Sequence, residues 1–162
     1  MATIKRIGYG QVEPNHLSAQ RTAQIYAQLP ANKDIEVLEN GQYVKYDYAE
    51  GEVNFAGEGE WMMVFNEVKL YDGWRESYKD FAMKKSNYTE GVMTPRVIKT
   101  NVGDIYTTNC VAEEEIEVGS ELSPRAEDGI LSTAGDGSIV FQVVKIYTMA
   151  DGQDAVKLMR IK

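Results

Sequence analysis

The chain has 162 residues, 43% of them hydrophobic and 26% charged, with a net charge of −8 and a pI near 4.7. That composition describes an ordinary globular protein of one domain with an appendage, or two very small domains, and excludes a disordered chain. Acidity of this size argues against nucleic acid as a partner, because phosphate affinity grows with the Lys and Arg groups laid against the backbone. No apolar run approaches the roughly 18–20 residues of a membrane span.

Two basic residues near the start are followed by no apolar stretch, so a secretory signal is not expected and the protein should stay in the compartment where it is made. The one cysteine, Cys110, excludes an internal disulfide framework and fits a reducing cytoplasm.

Charge is unevenly spread. Residues 1–33 hold four basic side chains, Lys5, Arg6, Arg21 and Lys33, against Glu13 alone, a balance of +3; the rest has 13 basic and 24 acidic groups, a balance of −11. The glycines flanking Tyr9 and the Pro14-Asn15 pair interrupt regular structure in this leader. Residues 21–29 fit both periods: Ala23, Ile25, Ala27 and Leu29 alternate as in a strand, while Thr22, Ile25, Tyr26 and Leu29 share a helical face. We read the leader as an extended arm with a strand near its end. Its apolar side chains are too few to offset the ordering of its backbone, so it needs a sheet edge or a partner to pair with; packing on its own domain is the alternative.

From residue 35 the pattern is β-rich. Asn40-Gly41 between residues 35–39 and 42–48 predicts a type I′ hairpin, and Glu50-Gly51 a second turn before residues 53–55. The nearly continuous apolar run 61–68 predicts a central strand. Residues 73–85 are the best helix candidate, with Trp74, Tyr78, Phe81 and Ala82 on one face and Lys84 and Lys85 at the C-terminal end. Strands follow within 92–104 and at 105–111. Asp151-Gly152 separates two further strands, 139–149 and 155–161. The expected fold is mainly β: a small antiparallel barrel or sandwich with one short helix. The division is an arm, 1–33, and a body, 34–162, with a subdivision near 90–100 left open.

Nothing in the chain assembles catalytic apparatus. His16 is the only histidine and sits in the polar leader, which suits a contact or capping role. Cys110 lies in a strand-like run as a core or interface thiol. One His and one Cys cannot supply a zinc site. The run Glu113-Glu114-Glu115 and the Asp-Gly turns supply oxygens without the spacing of a calcium loop, and read as solvated loops. The glycines of residues 57–60 alternate with carboxylates that would repel a phosphate. No catalytic residue, cofactor or metal is therefore expected.

The leader motif GYGQVEPNHLSAQ…AQIYAQLP, the following VLENGQYVKYDY, and the rhythm TNVGDIYTTN…VGSEL…EDGIL…FQVVKIYTMADGQDAVKL resemble the head-decoration, or cement, proteins of tailed bacteriophages. The resemblance implies a β-barrel virion protein that binds the outer face of the major capsid protein lattice and reinforces it, with a terminal extension gripping the shell. Residues 61–85 depart from a minimal barrel of that kind. On this reading the partners are the major capsid protein or other virion subunits, with self-association open. No nucleic acid or membrane is involved, and the protein is made in the host cytoplasm and located in the virion. The expected contacts are Lys5, Arg6, Tyr9, Arg21, Ile25 and Tyr26. The rival readings are a tail, neck or baseplate component, and a small carbohydrate-binding or hydrolytic module using the tyrosines and tryptophans and a carboxylate pair.

Overall fold

A computed structural model describes residues 2–4, 6, 8–16, 25–66, 82–150 and 152–162. In chain order the strands are β1 (Ala2–Thr3), β2 (Val12–His16), β3 (Ile25–Tyr26), β4 (Val37–Leu38), β5 (Tyr43–Asp47), β6 (Glu52–Asn54), β7 (Met62–Val64) and β8 (Met83–Lys84). They continue as β9 (Val97–Ile98), β10 (Ile105–Thr108), β11 (Glu115–Ile116), β12 (Glu121–Pro124), β13 (Leu131–Ser132), β14 (Phe141–Thr148) and β15 (Asp154–Arg160).

The fold is mainly β, as the turn-punctuated sequence indicates. The larger of two main sheets has six strands in the order β13-β12-β14-β15-β10-β2 and curls into a half-barrel; the second has five, β3-β9-β7-β5-β6, and β1-β11 and β4-β8 form two further two-stranded pairs. Every strand pair in the two sheets is antiparallel. The spine is the β14–β15 hairpin, running from Phe141 opposite Arg160 to Thr148 opposite Asp154, with a register shift between Val143 and Lys145. Gly152 turns the chain at its tip with φ of +83°, and the Met149 N–H donates to the Gln153 carbonyl at 2.8 Å.

Period-two alternation on the five-stranded sheet feeds two cores. Tyr43, Met63 and Ile98 face the half-barrel and pack with Tyr106, Leu122, Phe141, Val156 and Leu158. Their neighbours Val44, Met62, Val64 and Val97 face the other way and are covered by Ile35, Leu38, Met83 and Met93. This explains the unbroken apolar run at β7: a strand buried on both faces has no polar side to alternate.

Three expectations change. Asn40-Gly41 is a turn, but not a hairpin. Gly41 has φ of +92° while Asn40 does not enter the positive region that a type I′ turn needs at both positions. The flanking strands separate, β4 pairing with β8 and β5 with β6 and β7. Asn40 acts instead through its buried side chain, whose Oδ1 accepts the Asn66 N–H at 2.8 Å.

Most of the helix expected at 73–85 lies outside the described residues, and among those described there is no α-helix. Its final turn is not helical. Met83–Lys84 is strand β8, because Met83 is drawn into the second core and opposite Leu38. Residues 85–87 form a single 3₁₀ turn.

The leader is extended as expected, and the edges it pairs with belong to its own chain. β1 pairs with β11, β2 with β10 and β3 with β9. Ile4, 1% exposed, sits in the main core beside side chains from both sheets. The backbone deficit of the leader is met by these ladders and by Gln11, whose N–H donates to Asn109 Oδ1 at 2.7 Å.

Candidate functional site

The six leader residues singled out as contacts fall into three groups. Lys5 and Arg21 lie outside the described residues. Arg6 and Tyr9 hold the leader to the body: Arg6 Nη1 donates to Glu39 Oε2, which also accepts the Gly10 N–H at 2.8 Å, and the Lys84 ammonium sits 4.7 Å from the centre of the Tyr9 ring. Ile25 and Tyr26 form β3 at the edge of the five-stranded sheet. Tyr26 meets Tyr46 edge to face at 5.6 Å, and Ile25 is 40% exposed. The structure thus separates a buttressing pair, Arg6 and Tyr9, from an edge pair, Ile25 and Tyr26.

Arg6 also lines a groove of about 640 Å³ with Val111, Ile130, Glu113, Arg125 and Glu127. Its charges are largely matched within the chain. Arg125 grips Asp128 through Nε and Nη2, and this hydrogen-bonded carboxylate raises the guanidinium pKa despite partial burial. Glu114 accepts the Thr133 N–H at 2.7 Å and the Thr133 hydroxyl at 3.1 Å. The turn carrying Arg125 is itself docked. Gly129, at φ of +69°, accepts from the Tyr43 N–H at 2.8 Å, and any Cβ there would collide with the Tyr43 carbonyl. A second, smaller hollow of about 310 Å³ lies at the β5–β6 turn against Tyr46, Asp47, Tyr48, Glu50 and Glu58. Tyr48 is 73% exposed above it and meets Tyr46 edge to face at 5.7 Å.

Among the described residues, the groups whose protonation is most perturbed are shifted by burial and by hydrogen bonds within the chain. Burial pushes the Cys110 thiol up to about 12, aided by Glu39 nearby, so it is protonated and non-nucleophilic at neutral pH. Burial likewise raises the phenols of Tyr43 and Tyr106, which hydrogen-bond each other. Burial works against the Asp136 carboxylate, but the Ser138 N–H, the Trp61 indole and the Ser138 hydroxyl outweigh it and hold the pKa down. Arg160 donates to Thr100, Lys162 and Glu60; Glu60 also pairs with Lys99 at 3.0 Å, and these contacts lower its pKa against the effect of burial. His16 contributes its backbone to β2, opposite Ile105. Among the described residues no three His, Cys, Asp or Glu side chains are grouped to hold a metal ion, and no helix is long and apolar enough to cross a membrane.

Fold and site together define a mainly β protein in which, among the described residues, the groups with the most perturbed protonation are hydrogen-bonded or packed within the chain. Comparison of the chain with protein-family models, with curated proteins and with solved structures yields no match in any of the three.

Sequence reasoning passed over the Arg6 groove, because Arg6 and Arg125 line it from positions more than a hundred residues apart. It also read Glu114 as part of a solvated run, whereas Glu114 caps the chain after β13. A Ser-Thr pair following an apolar strand, with a free carboxylate upstream, is a weak signal for such a cap.

Proposed function

We propose that this protein is a non-enzymatic structural subunit of a tailed-bacteriophage virion, which binds the outer surface of the capsid through its leader and reinforces the shell. The observation that carries the reading is β3. It is a two-residue edge strand of the leader, lying at the border of a well-buttressed sheet with Ile25 exposed beside it. Such an edge offers backbone pairing and one apolar anchor to a neighbouring subunit. Among the described residues of the leader, Arg6, Tyr9 and β2 are also held to the body. Repetition over a lattice turns a weak contact into a strong one.

The reading is supported by the resemblance of the leader and of the C-terminal turn rhythm to decoration proteins, and by the commitment of the perturbed groups to structure. The test is cosedimentation with capsids of the phage that encodes the chain. Wild-type protein is expected to pellet with expanded shells, and Ile25→Glu to remain in the supernatant while melting at the same temperature. No binding by the wild type, or equal binding by both, overturns the proposal.

A further inference from the structure

The outer face of the β14–β15 hairpin breaks a local rule. Lys145 and Lys157 stand directly opposite each other in register. Like charges in that position repel. In a chain of net charge −8 a carboxylate neighbour would be easy to provide, yet among the described residues neither ammonium has one at ion-pair distance. Both ammoniums lie over one ring, 5.2 and 5.6 Å from the centre of Tyr147. The ring is fixed from its far end, where the hydroxyl donates to Glu13 at 2.8 Å and lies 2.8 Å from Thr107 Oγ1. Two cations are thus concentrated on a rigid aromatic platform.

The complementary surface is on the same chain. Residues 46–59 contain Asp47, Glu50, Glu52 and Glu58 and no Lys or Arg. Asp47 is occupied by the N–H groups of Ala49 and Glu50 and by Asn54, and Glu52 by Asn32 and Asn54. Glu50 and Glu58 have no such partner among the described residues, and they border the hollow beneath exposed Tyr48. Within one chain no ion pair joins this patch to the lysines, which sit on the other sheet.

We infer that Lys145 and Lys157, on their Tyr147 platform, dock the Glu50 and Glu58 carboxylates of a second copy of this chain. Each copy then uses two different patches, so the contact is head-to-tail and closes into a ring or extends into an array. The inference stands independently of any capsid.

The test is the concentration dependence of mass by analytical ultracentrifugation, at low salt and at about 1 M salt, where charge attraction is screened within about 3 Å. Wild-type protein is expected to self-associate at low salt and to dissociate at high salt. Lys145→Glu with Lys157→Glu, and separately Glu50→Lys with Glu58→Lys, should each weaken self-association by about tenfold or more. Mixing the two variants should restore it. Lys145→Gln with Lys157→Gln removes the repulsion without reversing charge, and should lose association while melting at a higher temperature than wild type. A wild type that stays monomeric at low salt, or mixed variants that fail to recover, overturns the inference. Capsid cosedimentation of the same proteins separates that failure from failure of the capsid-binding reading.

Discussion

The hydroxyls of Tyr43 and Tyr106 lie 2.7 Å apart in the interior, one carried by β5 of the five-stranded sheet and the other by β10 of the half-barrel. This is a polar rivet set within the apolar core between the two main sheets, and Phe141 packs against both rings at 5.5 and 5.6 Å. Removing one hydroxyl strands the other without water. Tyr43→Phe or Tyr106→Phe should each cost about 1–3 kcal/mol in urea unfolding, whereas the double variant should recover much of that loss. Additive losses would show that the two hydroxyls do not depend on each other.

Cys110 makes alkaline stability a second test. Its thiol pKa is raised from 9.0 to about 12 by burial, so above pH 9 the unfolded chain releases a proton that the folded chain keeps. The unfolded state then binds fewer protons, and stability falls as pH rises through the window from 9 to about 12. The two buried phenols act in the same direction above pH 10. Chemical denaturation between pH 8 and 11 should show a declining free energy. Cys110→Ala should flatten that decline by up to about 1.4 kcal/mol per pH unit above 9.

Ile4 tests whether the leader belongs to the fold. A residue of a loosely attached arm would tolerate truncation, but Ile4 is buried in the main core. Ile4→Ala should cost about 2–5 kcal/mol. The same change at Ile25, which is 40% exposed, should cost less than about 1 kcal/mol. Equal, small effects at both positions would mean that the leader contributes nothing to stability.

Glycine gives an internal control. Gly129 and Gly137 have φ of +69° and +70°, so alanine is strained at both, but Gly129 faces the Tyr43 carbonyl while Gly137 faces open space. Gly137→Ala should cost about 1 kcal/mol, from backbone strain alone. Gly129→Ala should cost several times more, because the turn that seats β5 must move. Thermal melts of the two variants measure the difference directly.

How far the sequence anticipates this structure depends on the range of the interaction. The β14–β15 hairpin is legible because two long apolar-rich strands flank an Asp-Gly pair, and both partners lie within twenty residues. The burial of β7 on both faces is legible in its unbroken apolar run. Asn40-Gly41 misleads, since its neighbours take partners elsewhere: Leu38 pairs with Met83, and Gly41 donates to the Val64 carbonyl at 2.8 Å. No local pattern contains those pairings. The candidate surfaces divide in the same way. Ile25 and Tyr26 could be named from their apolar positions in the leader, whereas the Lys145–Lys157 pair needs the strand register, which the bulge after Val143 shifts by one residue.

The leader's pairing has a consequence for the order in which the protein is made and folded. Val12 faces Thr108, and Thr3 faces Glu115, so these residues leave the ribosome 96 and 112 positions ahead of their partners. At roughly 5–20 residues per second that interval is on the order of 5–20 s. The leader, synthesised before the strands it pairs with, is therefore fixed only after they emerge. Throughout that wait Ile4 and the backbone of β2 are open to any other strand edge at hand, and a nascent neighbour on the same messenger is the nearest one.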